Sequence, residues 1–245
     1  MAGLTSTDVL RAWEMASGQK SIEQALILLA IGRPDLGREQ IVALSIGQRD
    51  ALLLSLREQT FGPTFEAYAE CPRCEERLEF RLDASEIRVP SARVSAEQQR
   101  TLRVGAWDLS YRLPNSLDLR AIANCTDPDQ ARDRLIARCV IEARREESVV
   151  DVKGLTEEAI SALAAAMVQS DPQAEVLLSL RCPACAHAWQ ALLEVAEFLW
   201  QEVTIEARRL LREVHLLARA YGWREADVLA LSPARRQAYL DLVEA

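Results

Sequence analysis

The sequence predicts an α+β fold that is mainly helical and carries one small antiparallel β element. Three observations point there. Apolar residues recur with a period near 3.6 over most of the chain. Two motifs of the form Cys-Pro-x-Cys occur far apart, Cys71-Pro72-Arg73-Cys74 and Cys182-Pro183-Ala184-Cys185. Short stretches with the period of two, as in a strand, flank both motifs, so the two read as matching halves of one element.

The chemistry that needs this pattern is metal binding. A tetrahedral zinc site takes four thiolates, and each knuckle supplies two. The spacing predicts that Cys71, Cys74, Cys182 and Cys185 form one Zn–S4 site, which makes the β element zinc-ribbon-like. Protein ligands would then fill all four positions and leave none for water, so the Zn2+ is expected to be structural and not catalytic. Three other readings compete. A disulfide within each Cys-x-x-Cys closes a strained loop. A redox dithiol needs a single motif, usually at a helix start. Four buried thiols without metal leave the duplication unexplained. Residues 75–181 lie between the knuckles. Loop-closure entropy grows only logarithmically with length, and a structural zinc contributes on the order of 10 kcal/mol of apparent folding free energy in small domains. An ion can therefore join two remote parts of this chain.

Composition narrows the partners. The chain has 245 residues, 49% of them hydrophobic, which supports a substantial core. The net charge is −8 and the pI near 5.0, which disfavours nucleic acid as a partner. Apolar runs such as Ala25–Ile31 are too short to span a bilayer, so no membrane partner is expected. Met1 to Ser6 lack a basic region leading into an apolar one, which predicts a cytoplasmic protein whose thiols stay reduced. Cys125 and Cys139 fall in helical patterns and read as buried packing residues.

The elements divide the chain into five stretches. Residues 1–62 form an N-terminal helical region. Thr7-Asp8 is a candidate cap, Ser21 with Gln24 a candidate capping box, Gly32-Arg33-Pro34 a stop, and Gln48 to Thr60 a core-facing helix. Residues 63–115 hold the first knuckle and a β-hairpin. Strands are expected over Thr64–Glu70 and Arg77–Leu82, a polar loop with Pro90 over 83–99, and a hairpin over Leu102–Leu113 turning near Gly105. Residues 116–171 read as a helical insertion, with Cys139, Val140 and Ile141 facing inward on one helix. Residues 172–195 carry the second knuckle, entered by a strand through Val176, Leu178 and Leu180. Residues 196–245 form a C-terminal helical region. Its long helix runs to Tyr221, Gly222 stands at the stop, Arg209 and Glu213 pair on the wet face, and Ser232-Pro233 starts the last helix. His187 and His215 read as structural or exposed residues rather than ligands.

No phosphate-binding glycine loop, nucleophile elbow or His-Glu-x-x-His is present. Neither histidine has an acid or a nucleophile at motif spacing. These observations predict a chain that is not an enzyme and takes no small-molecule substrate.

Three groups of segments together carry a resemblance. The first is Ala51-Leu52-Leu53-Leu54, Thr60-Phe61-Gly62-Pro63 and Cys71-Pro72-x-Cys74. The second is Asp171-Pro172-Gln173-Ala174-Glu175, Cys182-Pro183-x-Cys185-x-His187-x-Trp189 and Phe198-Leu199-Trp200-x-Glu202. The third is Leu211-Arg212-Glu213-Val214-His215, Ala218, Tyr221-Gly222-Trp223, Leu229-Ala230-Leu231-Ser232-Pro233-Ala234-Arg235-Arg236 and Tyr239-Leu240. This set resembles the baseplate hub assembly chaperones of T-even-type phages, found in contractile phage tails and related bacterial contractile injection systems. The likeness covers most of the chain and is most specific from Asp171 onward. It implies a non-enzymatic factor that binds baseplate hub or spike proteins. The alternatives are a permanent structural baseplate subunit and, third, a zinc-ribbon nucleic-acid-binding adaptor. The chain departs from the pattern after each second cysteine, where Gly is often found and Glu75 and Ala186 stand here.

Overall fold

The computed structural model describes residues 2–89, 99–146 and 148–244. Its spine is α9 (Val195–Tyr221), whose 27 residues span about 40 Å at the α-helical rise. The N-terminal helices are α1 (Ser6–Ala16), α2 (Ser21–Gly32), α3 (Arg38–Ala43) and α4 (Ile46–Phe61). Of these, α1, α2 and α4 pack on α9, and α3 lies against α2. Leu28 and Leu29 of α2, Leu53, Leu54 and Leu56 of α4, and Leu199, Val203 and Leu210 of α9 are fully buried in one cluster. Full burial of each such side chain contributes about 1.5–3 kcal/mol.

Two predicted helix starts shift. The cap of α1 is Thr5, not Thr7: its hydroxyl accepts from the Asp8 amide and the Asp8 carboxylate accepts from the Thr5 amide. The Ser21–Gln24 capping box does not form. Ser21 is already the first helical residue, and the buried Gln24 side chain donates instead to the Ala16 carbonyl at 3.5 Å. Ser45 with Gln48 makes the box that starts α4.

After Gly62, β1 (Thr64–Glu70) and β2 (Arg77–Asp83) pair antiparallel, from Thr64 opposite Asp83 to Glu70 opposite Arg77. Both strands stand as expected. The expected loop does not begin at once, because Asp83 caps a short helix, α5 (Ala84–Ile87), whose Ala84 and Ile87 enter the main core. Pro90 and the rest of that stretch to residue 98 lie outside the described residues.

A second sheet has the order β3-β4-β5-β6, from β3 (Arg100–Val104), β4 (Trp107–Tyr111), β5 (Val140–Arg145) and β6 (Ser148–Val149). The β3–β4 hairpin is the one expected around Gly105. Three helices accompany this sheet, α6 (Ser116–Ile122), α7 (Pro128–Cys139) and α8 (Glu157–Ser170). The stretch expected to be helical, with room for an extended link at Val149 to Val152, therefore contains strands, and β5 lies where helix was expected. The α7 helix ends at Cys139, and the chain then pairs with the open edge of β4, Leu109 facing Ala143. Val140 is 7% exposed and its neighbour Ile141 54%; Val140 opposes Tyr111 and Glu142 opposes Ser110, so Ile141 stands outward in a bulge. Trp107, Leu109, Tyr111, Val140 and Ala143 form a separate core with Leu155, Ala159 and Leu163.

The last strands, β7 (Leu177–Arg181) and β8 (Ala188–Leu192), make a second knuckle hairpin. Beyond α9, Gly222 sits at φ 68° as the left-handed cap. Then α10 (Glu225–Leu229) and α11 (Pro233–Glu244) fold back on the end of α9 around Leu217, Val228 and Leu240. Arg209 and Glu213 pair at 2.8 Å, but not on a wet face: Glu213 is buried and also takes the buried Arg236 guanidinium at 2.8 Å. Arg236 reaches on to the Ser6 hydroxyl at 3.3 Å, tying α11 to α1.

Candidate metal centre

The two knuckles are built alike. In the first, the Cys71 amide donates to the Glu76 carbonyl at 2.9 Å and the Glu75 amide donates back to the Cys71 carbonyl at 2.9 Å. In the second, the Cys182 amide donates to the His187 carbonyl at 2.9 Å and the Ala186 amide to the Cys182 carbonyl at 3.0 Å. Closing so tight a turn requires a left-handed residue after the second cysteine. Glu75 and Ala186 take it at φ 60° and 58°, a conformation that costs roughly 1–2 kcal/mol without glycine. The turn fixes the two Cys residues of each knuckle relative to each other.

The hairpin tips meet. The Cys71 sulfur lies 3.7 Å from that of Cys185, and the Cys74 sulfur 3.6 Å from that of Cys182. All four sulfurs lie within 4.8 Å of one another. No disulfide links them; an S–S bond would be about 2.05 Å. With Zn–S bonds near 2.3 Å, the edge of an S4 tetrahedron is about 3.8 Å. The observed contacts between knuckles match that edge, so the donor set fits a tetrahedral, thiolate-loving ion. Cys71 and Cys182 are buried, Cys185 is partly so, and Cys74 is exposed, which places the cluster at the surface with one open side.

The thiols do not ionise alike. Burial pushes the Cys71 thiol up, but the amides of Arg73 and Cys74 and the neighbouring thiols outweigh it and bring it down to about 7. The Glu76 amide favours the Cys74 thiolate, yet Cys185, burial, Cys182 and Cys71 together push it up to about 12. One sulfur thus gives up its proton readily and its neighbour then resists. A divalent cation relieves that repulsion, so metal and protons compete for the cluster.

The remaining expected residues fall elsewhere. His187 brings no ligand atom to the cluster; its carbonyl closes the second knuckle, and its ring stacks on Trp189 at 6.0 Å. His215 is exposed on α9. Cys139 is fully buried as expected, while Cys125 is half-exposed and lies just past α6, not in a helix.

Several buried charges escaped the sequence reading. Arg57 of α4 forks onto Glu202 of α9 at 2.6 and 2.8 Å and stacks over the Phe65 ring at 3.9 Å. Phe65 in turn meets Phe198 at 5.3 Å, so this group fixes the base of the first knuckle hairpin to α9. Asp118, wholly buried, is held by Arg112 and by Arg138 at 2.8 Å. The signal for such pairs was a carboxylate and an arginine lying on the edge of an apolar stripe, as Glu202 and Glu213 do.

The described residues form a mainly helical body with three apolar clusters and two hairpins whose tips bring four thiols together. The chain belongs to the family described as T4 bacteriophage base plate protein, whose model matches residues 15–200. The match takes in both knuckles and ends inside α9, leaving residues 201–245 outside it. Comparisons with curated proteins and with solved structures return no match. No helix among the described residues is long and apolar enough to cross a membrane.

Proposed function

We propose that this chain is a non-enzymatic assembly chaperone for the baseplate hub of a contractile tail-like particle, acting in the cytoplasm and clasped by a structural zinc ion. Cys71, Cys74, Cys182 and Cys185 are the ligands in this reading. The observation that carries it is the spacing of the four sulfurs, 3.6 and 3.7 Å across the knuckles, in a chain of a baseplate family. Four thiolates saturate a tetrahedral zinc and leave no site for substrate or water. The ion then has one task, to hold the chain on either side of the second core at a fixed separation. Hub or spike proteins are the partners that such a rigid, many-faced body would hold during assembly.

The family description supports a second reading equally directly, a permanent baseplate subunit. Mass spectrometry of mature particles separates the two. A chaperone is present in assembling lysates and co-purifies with hub or spike proteins, yet is missing from finished particles. Its presence in particles at a fixed ratio to the hub would replace the chaperone reading with the subunit one.

A further inference from the structure

The C-terminal half of the solvent face of α9 is positively charged, whereas its start carries the exposed Glu197. Arg208, Arg212, His215 and Arg219 follow one another at intervals of four, three and four residues and are all exposed. At helical spacing these positions form a single stripe. Ile205, 69% exposed, starts it, and Leu211, 37% exposed, flanks it. Over Ile205 to Arg219 the stripe is about 21 Å long at the helical rise.

An arginine on a helix surface is ordinarily just solvated. This stripe differs because the carboxylates of the same helix from Glu202 onward are spent elsewhere, and Glu197 lies about two turns before Ile205. Glu202 is taken by Arg57, Glu206 by Arg209, and Glu213 by Arg209 and Arg236. Arg208, Arg212 and Arg219 make no ion pair among the described residues. Like charges four apart, as at Arg208 and Arg212, destabilise a helix, so that pair works against the stability of α9, whereas Arg219 in the last turn complements the helix dipole. It sits on a molecule whose net charge is −8, where a positive stripe is a local exception. It also lies beyond the stretch that the family model matches.

We propose that this stripe docks an acidic helix of another baseplate component, with the arginines facing carboxylates at helical spacing and Ile205 and Leu211 packing on its apolar flank. Charge complementarity sets the partner and its register. The exposed apolar pair favours a protein over a nucleic-acid backbone, which has nothing to pack on it, and the acidity of the whole chain opposes DNA. The inference rests on the baseplate-assembly reading above and names the face used for it.

The test measures binding of the full-length chain to each purified baseplate protein encoded beside it, at low and at high salt. The comparison is with the triple variant Arg208→Glu, Arg212→Glu, Arg219→Glu, and with Arg11→Glu, Arg38→Glu, Arg134→Glu, which makes the same change of charge at exposed positions elsewhere. The proposal expects one partner with an acidic helix, binding that weakens with salt and falls at least about tenfold in the α9 variant. The control variant should bind within about twofold of wild type, and lysines in the partner's acidic helix should restore the α9 variant. All substituted residues are exposed, so melting temperatures should stay together and show that folding is intact. If wild type binds a baseplate protein and the α9 variant binds it equally well, the stripe is not the interface while the assembly reading stands. If wild type binds none, both fall. Binding of a DNA duplex lost in the α9 variant, or a dimer of this chain dissolved by it, would assign the stripe to a different occupant and overturn the proposal.

Discussion

Asp171 accepts the backbone N–H of Gly47 at 2.9 Å, although 124 residues of chain separate them. This bond sits in the seam between the helical body and the second core. Around it, Ile46 donates its amide to Pro114 at 3.1 Å, and the buried Gln173 side chain receives the Val89 amide at 2.7 Å and gives to the Ile87 carbonyl at 3.3 Å. Burial pushes the Asp171 carboxyl above its usual range, against the Gly47 amide, Ser45 and the arginines at positions 100 and 49. The seam is therefore polar, buried and closely fitted, which makes it sensitive to volume.

Gly47→Ala tests the fit. An added Cβ would lie 2.2 Å from an Asp171 carboxylate oxygen and 2.9 Å from the Ala174 nitrogen. Overpacking of this kind costs about 1–3 kcal/mol. Urea unfolding should show that loss, and Asp171→Ala in the same background should recover part of it by removing the obstructing carboxylate. A Gly47→Ala variant as stable as wild type would mean that the seam is looser than the structure shows.

Arg57 and Glu202 are expected to couple strongly. The Arg57 side chain is 4% exposed and that of Glu202 23%. Removing one partner of a fully buried pair costs roughly 3–5 kcal/mol. Since Glu202 keeps some water, Arg57→Leu should cost about 3 kcal/mol, near the low end. A double-mutant cycle with Glu202→Gln should show clear non-additivity; independent effects would remove the pair as the anchor between α4 and α9.

Asp118 should make part of the stability depend on acid. Burial opposes its ionisation, but the guanidinium of Arg112, the amide of Asn115 and the guanidinium of Arg138 prevail and hold the carboxyl below its usual range. A folded-state pKa below the unfolded one gives stability that is present above the unfolded value, near 3.9, and is lost as pH falls through the folded value. Asp118→Asn should therefore weaken the protein at neutral pH by about 2–3 kcal/mol, discounted from the fully buried case because both arginines are partly exposed. The gap from wild type should narrow as pH falls below about 4. A gap independent of pH would show that shape, not charge, sets the effect.

The first knuckle can be opened from its exposed side. Cys74→Ser replaces one thiolate and leaves the buried Cys71 and Cys182 in place. If the ion clasps the hairpins, this variant should lose metal, and its β1–β2 and β7–β8 amides should exchange with solvent faster while the second core around Trp107 and Leu163 stays protected. Treatment of wild type with a chelator should reproduce that pattern. Unchanged protection in both would show that packing alone holds the hairpins together.

The elements most legible in the sequence were those governed by local rules. The knuckles, their flanking strands, the Gly105 hairpin and the Gly222 stop all follow from spacing, alternation or a left-handed backbone need. Most of the site was legible too, because four cysteines in two equal pairs have few other uses. What stayed hidden was non-local. The β5 strand reads as the continuation of α7, since Cys139, Val140 and Ile141 satisfy a helical stripe; only the open edge of β4 turns them into a strand. The Ser21–Gln24 box lost to a burial site for Gln24 that another helix creates. Arg236 reads as surface charge, and its burial depends on Glu213 and Ser6, which lie 23 and 230 residues away.

The central claim is that four sulfurs from two distant hairpins hold one ion. Elemental analysis of the purified full-length chain, taken through a preparation free of chelators, tests it most directly. The proposed zinc clasp predicts about one zinc per chain, lost in any single Cys→Ser variant among positions 71, 74, 182 and 185. Less than about half a zinc per chain, or full occupancy retained after any of those substitutions, would contradict it.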